Sequence, residues 1–245
     1  MRITVVIDNN LPQADAFRRQ SGGETPSCAL KAEHGLCLFV ETGNDKFFFD
    51  LGQTDLFLAN AKVLGIDVAD ADFAIVSHGH YDHGGGIAAF LAANSHAPVF
   101  LRDTAFTNCH SERDGRMRYI GLSPNLAGNA RLTAIAQDGG TLLDGRLTLF
   151  SLQPPRGGWR DTISPANSRI YKKVGETFVH DTFEHEMNAI LVEGNRRVLL
   201  AGCAHSGIVN IIRRAEQLLG DSLTDVIGGM HLKGVEDEAY IDRLA

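Results

Sequence analysis

Ser77-His78-Gly79-His80-Tyr81-Asp82-His83-Gly84-Gly85-Gly86 decides the reading of this chain. The apolar run before it, Phe73-Ala74-Ile75-Val76, predicts a buried strand. A glycine cluster and a helical pattern over 87–93 come after it. A loop at a strand end can aim alternate side chains at one point. Imidazole and carboxylate together suit borderline divalent metals such as zinc.

Upstream, Ile3 to Ile7 reads as a first strand, and the mixed segment Asp8 to Thr25 as a loop with a short helix. Leu36 to Thr42 and Lys46 to Leu51 are strands joined at Gly43-Asn44-Asp45, which is turn chemistry. The second strand is almost wholly apolar through Phe47, Phe48 and Phe49, so burial on both faces is expected. Leu56, Phe57, Ala61 and Leu64 have helical spacing.

Downstream, Arg102 to Gly128 is polar and glycine-broken; it predicts loops with a short helix and a candidate substrate lid. Arg131 to Ala136 and Leu147 to Leu152 read as a further strand pair, and Pro154 to Asn167 as a loop. A third hairpin spans Met187 to Ala201, turning at Glu193-Gly194-Asn195. A helix over Ile208 to Leu219 and a strand over Leu223 to Ile227 complete the pattern. Hairpins followed by helix–strand alternation, in two similar halves, predict an α/β fold: two sheets face to face with helices outside.

The 245 residues suit one domain over 1–245. A formal net charge of -7 argues against nucleic acid or an anionic membrane as partner and leaves a small-molecule substrate. Cys28, Cys37, Cys109 and Cys203 form no CxxC pair, and no apolar run approaches the ~18 residues of a membrane span. The expected setting is cytoplasmic.

The segment His78 to His83 resembles the HxHxDH signature of the metallo-β-lactamase fold superfamily. The resemblance implies an αββα four-layer sandwich with one or two divalent metal ions at one edge. Zinc comes first on chemistry, with iron and manganese as alternatives. It implies His78 and His80 on one ion and Asp82 and His83 on a second. His185 fits the next ligand, with His180 and Glu186 as rivals, and His231 fits the last. Where relatives carry a bridging aspartate, this chain has Gly202-Cys203. Cys203 and His205 therefore compete for one ligand role.

Glu33-His34-Gly35-Leu36, Phe49 to Gln53, Gly202 to Asn210 and Gly228 to Leu232 narrow the resemblance. They are similar to a subfamily of metal-dependent hydrolases related to the dihydropterin–ribofuranosylaminobenzene phosphate synthase. Asp50 is then expected to support the metal loop, Glu186 to orient a ligand histidine, and Glu33 and His34 to be pocket candidates. Ser206 and Gly207 open a helix whose amides could bind a substrate phosphate or carboxylate, with His205 as a further substrate contact. Trp159 is a lid aromatic or a loop anchor. Arg102, Arg113, Arg116 and Arg118 read first as solvated surface charge, with an anionic substrate as the alternative.

Three functions follow. The leading one is hydrolysis of a small anionic, phosphate-containing substrate by a metal-bound hydroxide, with Asp82 handling the proton. The second is a synthase-type transfer. The third is a non-catalytic metal or ligand sensor, motivated by Cys203.

Overall fold

The computed structural model describes residues 1–10, 30–137, 139–153 and 164–232. The helix expected within 8–25, Cys28 and Trp159 lie outside them.

Three consecutive phenylalanines show how the layers are built. In β3 (Asp45–Phe49), Phe47 and Phe49 point between two sheets, while Phe48 turns to the helices. All three are fully buried. Each contributes about 1.5–3 kcal/mol of burial. Phe47 stacks on Phe73 at 4.8 Å between ring centres. Phe48 meets Phe57 and Phe90 edge-on, both at 5.9 Å.

The first sheet runs β1 (Arg2–Ile7), β2 (Cys37–Thr42), β3, β4 (Phe73–Ile75), β5 (Val99–Arg102), β8 (Leu132–Ile135). Its first three strands are antiparallel and the rest parallel. The β2–β3 hairpin closes with Thr42 opposite Asp45, and Gly43 takes the left-handed conformation the turn needs. α1 (Leu56–Val63) and α3 (Ile87–Ala93) cover the outer face through Phe57, Ala61, Ile87 and Phe90. Between them the one-turn helix α2 (Tyr81–Gly84) carries part of the histidine motif.

The second sheet has the order β15 (Asp225–Gly228), β14 (Arg196–Ala201), β13 (Asn188–Glu193), β10 (Leu147–Phe150), β9 (Gly140–Leu142). Leu147, Leu149, Ala189, Leu191, Val198 and Leu200 interleave with the first sheet. Ile190 and Leu199 face outward onto α4 (Ile208–Leu219), which returns Ile208, Ile211 and Ala215. Helix, sheet, sheet and helix are thus four layers.

Two sequence expectations change. Residues 131–136 and 147–152 are not partners: β8 extends the first sheet beside β5, and β10 pairs with β9 and β13 in the second. Residues 102–128 hold the expected loops and a short helix, Pro124–Leu126, but also two strands. These are β6 (Cys109–Arg113) and β7 (Arg116–Tyr119), a hairpin that joins β11 (Ile170–Val174) and β12 (Thr177–His180) in a third sheet. Polar strands of four or five residues give little apolar alternation to read.

Strand direction gathers the chemistry at one edge. The carboxyl ends of β3, β4, β14 and β15 and the start of β13 all meet there, where ligands bind in open α/β sheets.

Candidate metal centre

Asp50, just past β3, takes a left-handed conformation (φ 60°) and is fully buried. Its carboxylate accepts the Ser77 amide at 2.7 Å and the Ser77 hydroxyl at 2.8 Å. It also lies 2.6 Å from Nδ1 of His83. Because the Ser77 hydroxyl proton goes to Asp50, its oxygen accepts from Nδ1–H of His78 at 2.8 Å. The Nε2 lone pair of His78 then faces away from this network, with no partner among the described residues. Gly202 allows the second sheet to close on this group: a Cβ there would lie 1.9 Å from Ser77 Oγ.

His80 follows β4 and is 3% exposed; its Nε2 also has no partner among the described residues. Burial, helped by His185, lowers its pKa from 6.5 to about 3. Burial first, then neighbouring histidines, holds His78 and His205 well below the ordinary value. These rings are therefore neutral, which a metal ligand must be.

The third imidazole of this group is His205. Asn167 grips it twice, with Oδ1 2.9 Å from Nδ1 and Nδ2 donating to the His205 carbonyl at 2.8 Å. Its ring stacks on Phe183 at 4.5 Å between centres. That leaves Nε2 of His205 without a partner among the described residues. Ligand nitrogens of His78, His80 and His205 lie within 4.8 Å of one another. Three buried lone pairs with no protein donor fit a divalent cation of borderline softness, which would satisfy all three.

The sequence places His185 in that role, and the structure uses it differently. The Gly79 amide donates to its Nδ1 at 3.1 Å. The proton must then sit on Nε2, which lies 3.2 Å from Asp181 Oδ2 and 3.5 Å from the Cys109 sulfur. His80, Cys109, Asp181 and His185 do cluster within ligand distance. Yet Cys109, Asp181 and His185 already bond to one another, and both ring nitrogens of His185 are engaged. Its work is to hold the backbone of the His78-Gly79-His80 loop. The rival His180 stacks on Tyr171 in the third sheet.

A second group surrounds Asp82. Its Oδ2 lies 3.3 Å from Nε2 of His34 and 3.6 Å from Nε2 of His83. Nδ1 of His34 is fixed by Asn9 Oδ1 at 2.8 Å. The segment reaches Asp82 because residue 35 is glycine: a Cβ there would sit 1.9 Å from the Asp82 carbonyl. Burial pushes the Asp82 carboxyl up, but His83, His80 and His34 outweigh it and lower the pKa. Burial pushes His83 down, and Cys203, Asp50 and Asp82 overcome this to hold it high. The Cys203 sulfur lies 3.1 Å from Nε2 of His83, and His78, His83 and Cys203 form another ligand-distance group. His231 follows β15, with its ring centre 4.5 Å from that of His205 and an unpartnered Nδ1 among the described residues.

Ser206 and Gly207 do not offer amides to a substrate. Glu186 accepts the His205 and Ser206 amides at 2.6 and 2.9 Å, and the Gly207 amide bonds to Ala204. An internal carboxylate already fills the anion position at the start of α4. Glu186 thereby orients His205 through its backbone rather than its ring. Arg102 is buried, donating to the carbonyls of Ile135 and Glu184 and to Gln137, so it is structural.

His34, His80, Asp82, Cys203, His205 and His231 open into a cleft of about 790 Å³. That is small-molecule size. Nothing local marks Asn167 or Phe183, since the His205 ring they hold belongs to another segment.

The family model of the metallo-beta-lactamase superfamily matches residues 30–227. An uncharacterized protein of Methanocaldococcus jannaschii, MJ0448, is 27% identical over 219 residues, 87% of this chain and 78% of that protein. The 7,8-dihydropterin-6-methyl-4-(beta-D-ribofuranosyl)-aminobenzene-5'-phosphate synthase of the same organism is 24% identical over 227 residues, 87% and 76% respectively. The crystal structure of Tm1679, a metal-dependent hydrolase of the beta-lactamase superfamily, superposes with a TM-score of 0.76 at 25% identity. That match covers 99% of this chain and 80% of Tm1679.

Proposed function

This chain belongs to the metallo-beta-lactamase superfamily, and from that premise we propose that it is a metal-dependent hydrolase of a small, anionic, phosphate-containing substrate. The observation that carries the reading is the convergence of three buried imidazole nitrogens with no protein donor, on His78, His80 and His205. In this reading they hold one divalent ion, zinc first. Asp82, His83, Cys203 and His231 hold a second. The ions, when bound, supply Lewis acidity and lower the pKa of a coordinated water.

The protein's own groups do the rest. Asp50 fixes the proton on Nδ1 of His83 and, through Ser77, that on Nδ1 of His78. Asn167 does the same for His205. Asp82, kept ionised and partly open to the cleft, takes up the proton released as the nucleophile forms. Metal analysis and phosphoester turnover in wild type, His80→Ala and His231→Ala test the reading. Retention of both metal content and activity in either variant contradicts it.

The synthase-type transfer is the second reading, supported by the similarity over 87% of this chain to the aminobenzene-phosphate synthase. Incubation with a pterin diphosphate and a ribosylaminobenzene phosphate tests it. A coupled product favours transfer, and its absence alongside phosphoester turnover favours hydrolysis.

A further inference from the structure

The wall of the cleft contributed by the third sheet has a charge pattern opposite to that of the whole chain. The formal net charge is -7, yet Arg113, Arg118 and Arg169 all line the cleft that holds Asp82, His205 and His231. Strand register explains why they converge. Ser111 stands opposite Arg118 on one side and opposite Ile170 on the other, and Arg113 is two residues beyond Ser111. Residues opposite each other, or two apart, share a sheet face. Cys109 belongs to the same face and reaches Asp181 and His185, so this face looks into the site. Arg169 ends the short helix Pro165–Arg169, two residues past the Asn167 that grips His205. One segment thus places both a proposed metal ligand and a cation.

None of these three guanidinium groups has an ion-pair partner among the described residues. Glu112 and Asp114 flank Arg113 in sequence. Glu112 also lines the cleft, and its carboxylate accepts the Gly115 amide at 3.1 Å. Asp82 is engaged with His34 and His83. Three arginines stand against two carboxylates, Asp82 and Glu112, on the cleft lining, and an added anion would balance the excess positive charge. Guanidinium forks match phosphate oxygens in pairs.

The geometry assigns Arg113, Arg118 and Arg169 to a phosphate subsite separate from the metal-binding histidines. The substrate class is therefore a two-ended molecule. A phosphate monoester or diphosphate group sits on the arginines as a handle, and a different bond lies at the histidines. This deepens the hydrolase reading and rests on it for the chemistry, but the subsite binds without metal.

Calorimetric titration of phenyl phosphate into the full-length chain tests it, with zinc loaded and after removal of zinc by a chelator. Binding is expected in both states. Arg118→Gln should weaken it about tenfold, as loss of a charge-assisted hydrogen bond does. The Arg113→Gln/Arg118→Gln/Arg169→Gln variant should abolish it. Lys62→Gln, which removes a charge from α1 outside the cleft, should leave it unchanged. Binding only in the zinc-loaded state, or wild-type affinity in Arg118→Gln and in the triple variant, overturns the subsite. Circular dichroism verifies the fold, and the single variant carries the test if the triple variant does not fold. Metal content and turnover are read separately, so a failed hydrolase reading would show there and not in the metal-free titration.

Discussion

The segment around His185 and the segment around His205 make a controlled comparison. Both histidines are buried, both lie near the ends of the β13–β14 hairpin, and both approach the ring of His80, at 5.1 and 4.9 Å between centres. They differ in what holds the other side of each ring. A backbone amide donates to Nδ1 of His185, forcing its proton towards Asp181. A side-chain oxygen lies against Nδ1 of His205, forcing its lone pair towards His78 and His80. The identity of one distant partner thus separates a scaffold histidine from a candidate ligand.

Replacement of the two histidines should break this symmetry most sharply. His205→Ala is expected to lower turnover by roughly a thousandfold, the scale of losing a group that acts in the transition state. Steady-state kinetics and metal analysis check this. Next comes the support behind the motif. Asp50→Asn keeps volume but removes the acceptor that fixes both His83 and Ser77, so metal affinity should fall about 10- to 100-fold in chelator competition. His185→Ala should act on folding instead. It should cost about 2–3 kcal/mol in denaturant unfolding, by leaving the Gly79 amide unpaired and taking the imidazole partner from the buried Asp181, while metal stoichiometry stays at the wild-type value.

The smallest effect is acid sensitivity of the metal-free protein. His80, lowered from 6.5 to about 3, binds a proton in the unfolded chain before it does so in the folded one. Folding stability from this group is complete above about pH 6.5 and is lost as pH falls towards 3. His78, His205 and His231 shift in the same direction, and His83 opposes them. Unfolding midpoints measured from pH 7 to pH 4 should fall, and a flat profile would contradict the neutral-imidazole reading.

The part of the site legible in sequence was the local part. His78 to His83 falls within six residues after an apolar strand, so spacing alone carried it. Phe47 to Phe49 likewise announced a strand buried on both faces. His205 and His185 could not be ranked, because Asn167 and Gly79, which orient them, lie 38 and 106 residues away. The anion position at Ser206 and Gly207 was misread for a related reason: the carboxylate that fills it belongs to Glu186, on another segment. The pairing of β8 and β10 with different sheets was hidden because each is a short apolar run, and only tertiary packing chooses the partner.

The most direct test is anomalous scattering from crystals of the zinc-loaded protein. The account predicts a zinc peak bonded to Nε2 of His78, His80 and His205, with His185 still hydrogen-bonded to Asp181. A zinc peak on His185 with Cys109 and Asp181, and none on His205, would contradict it.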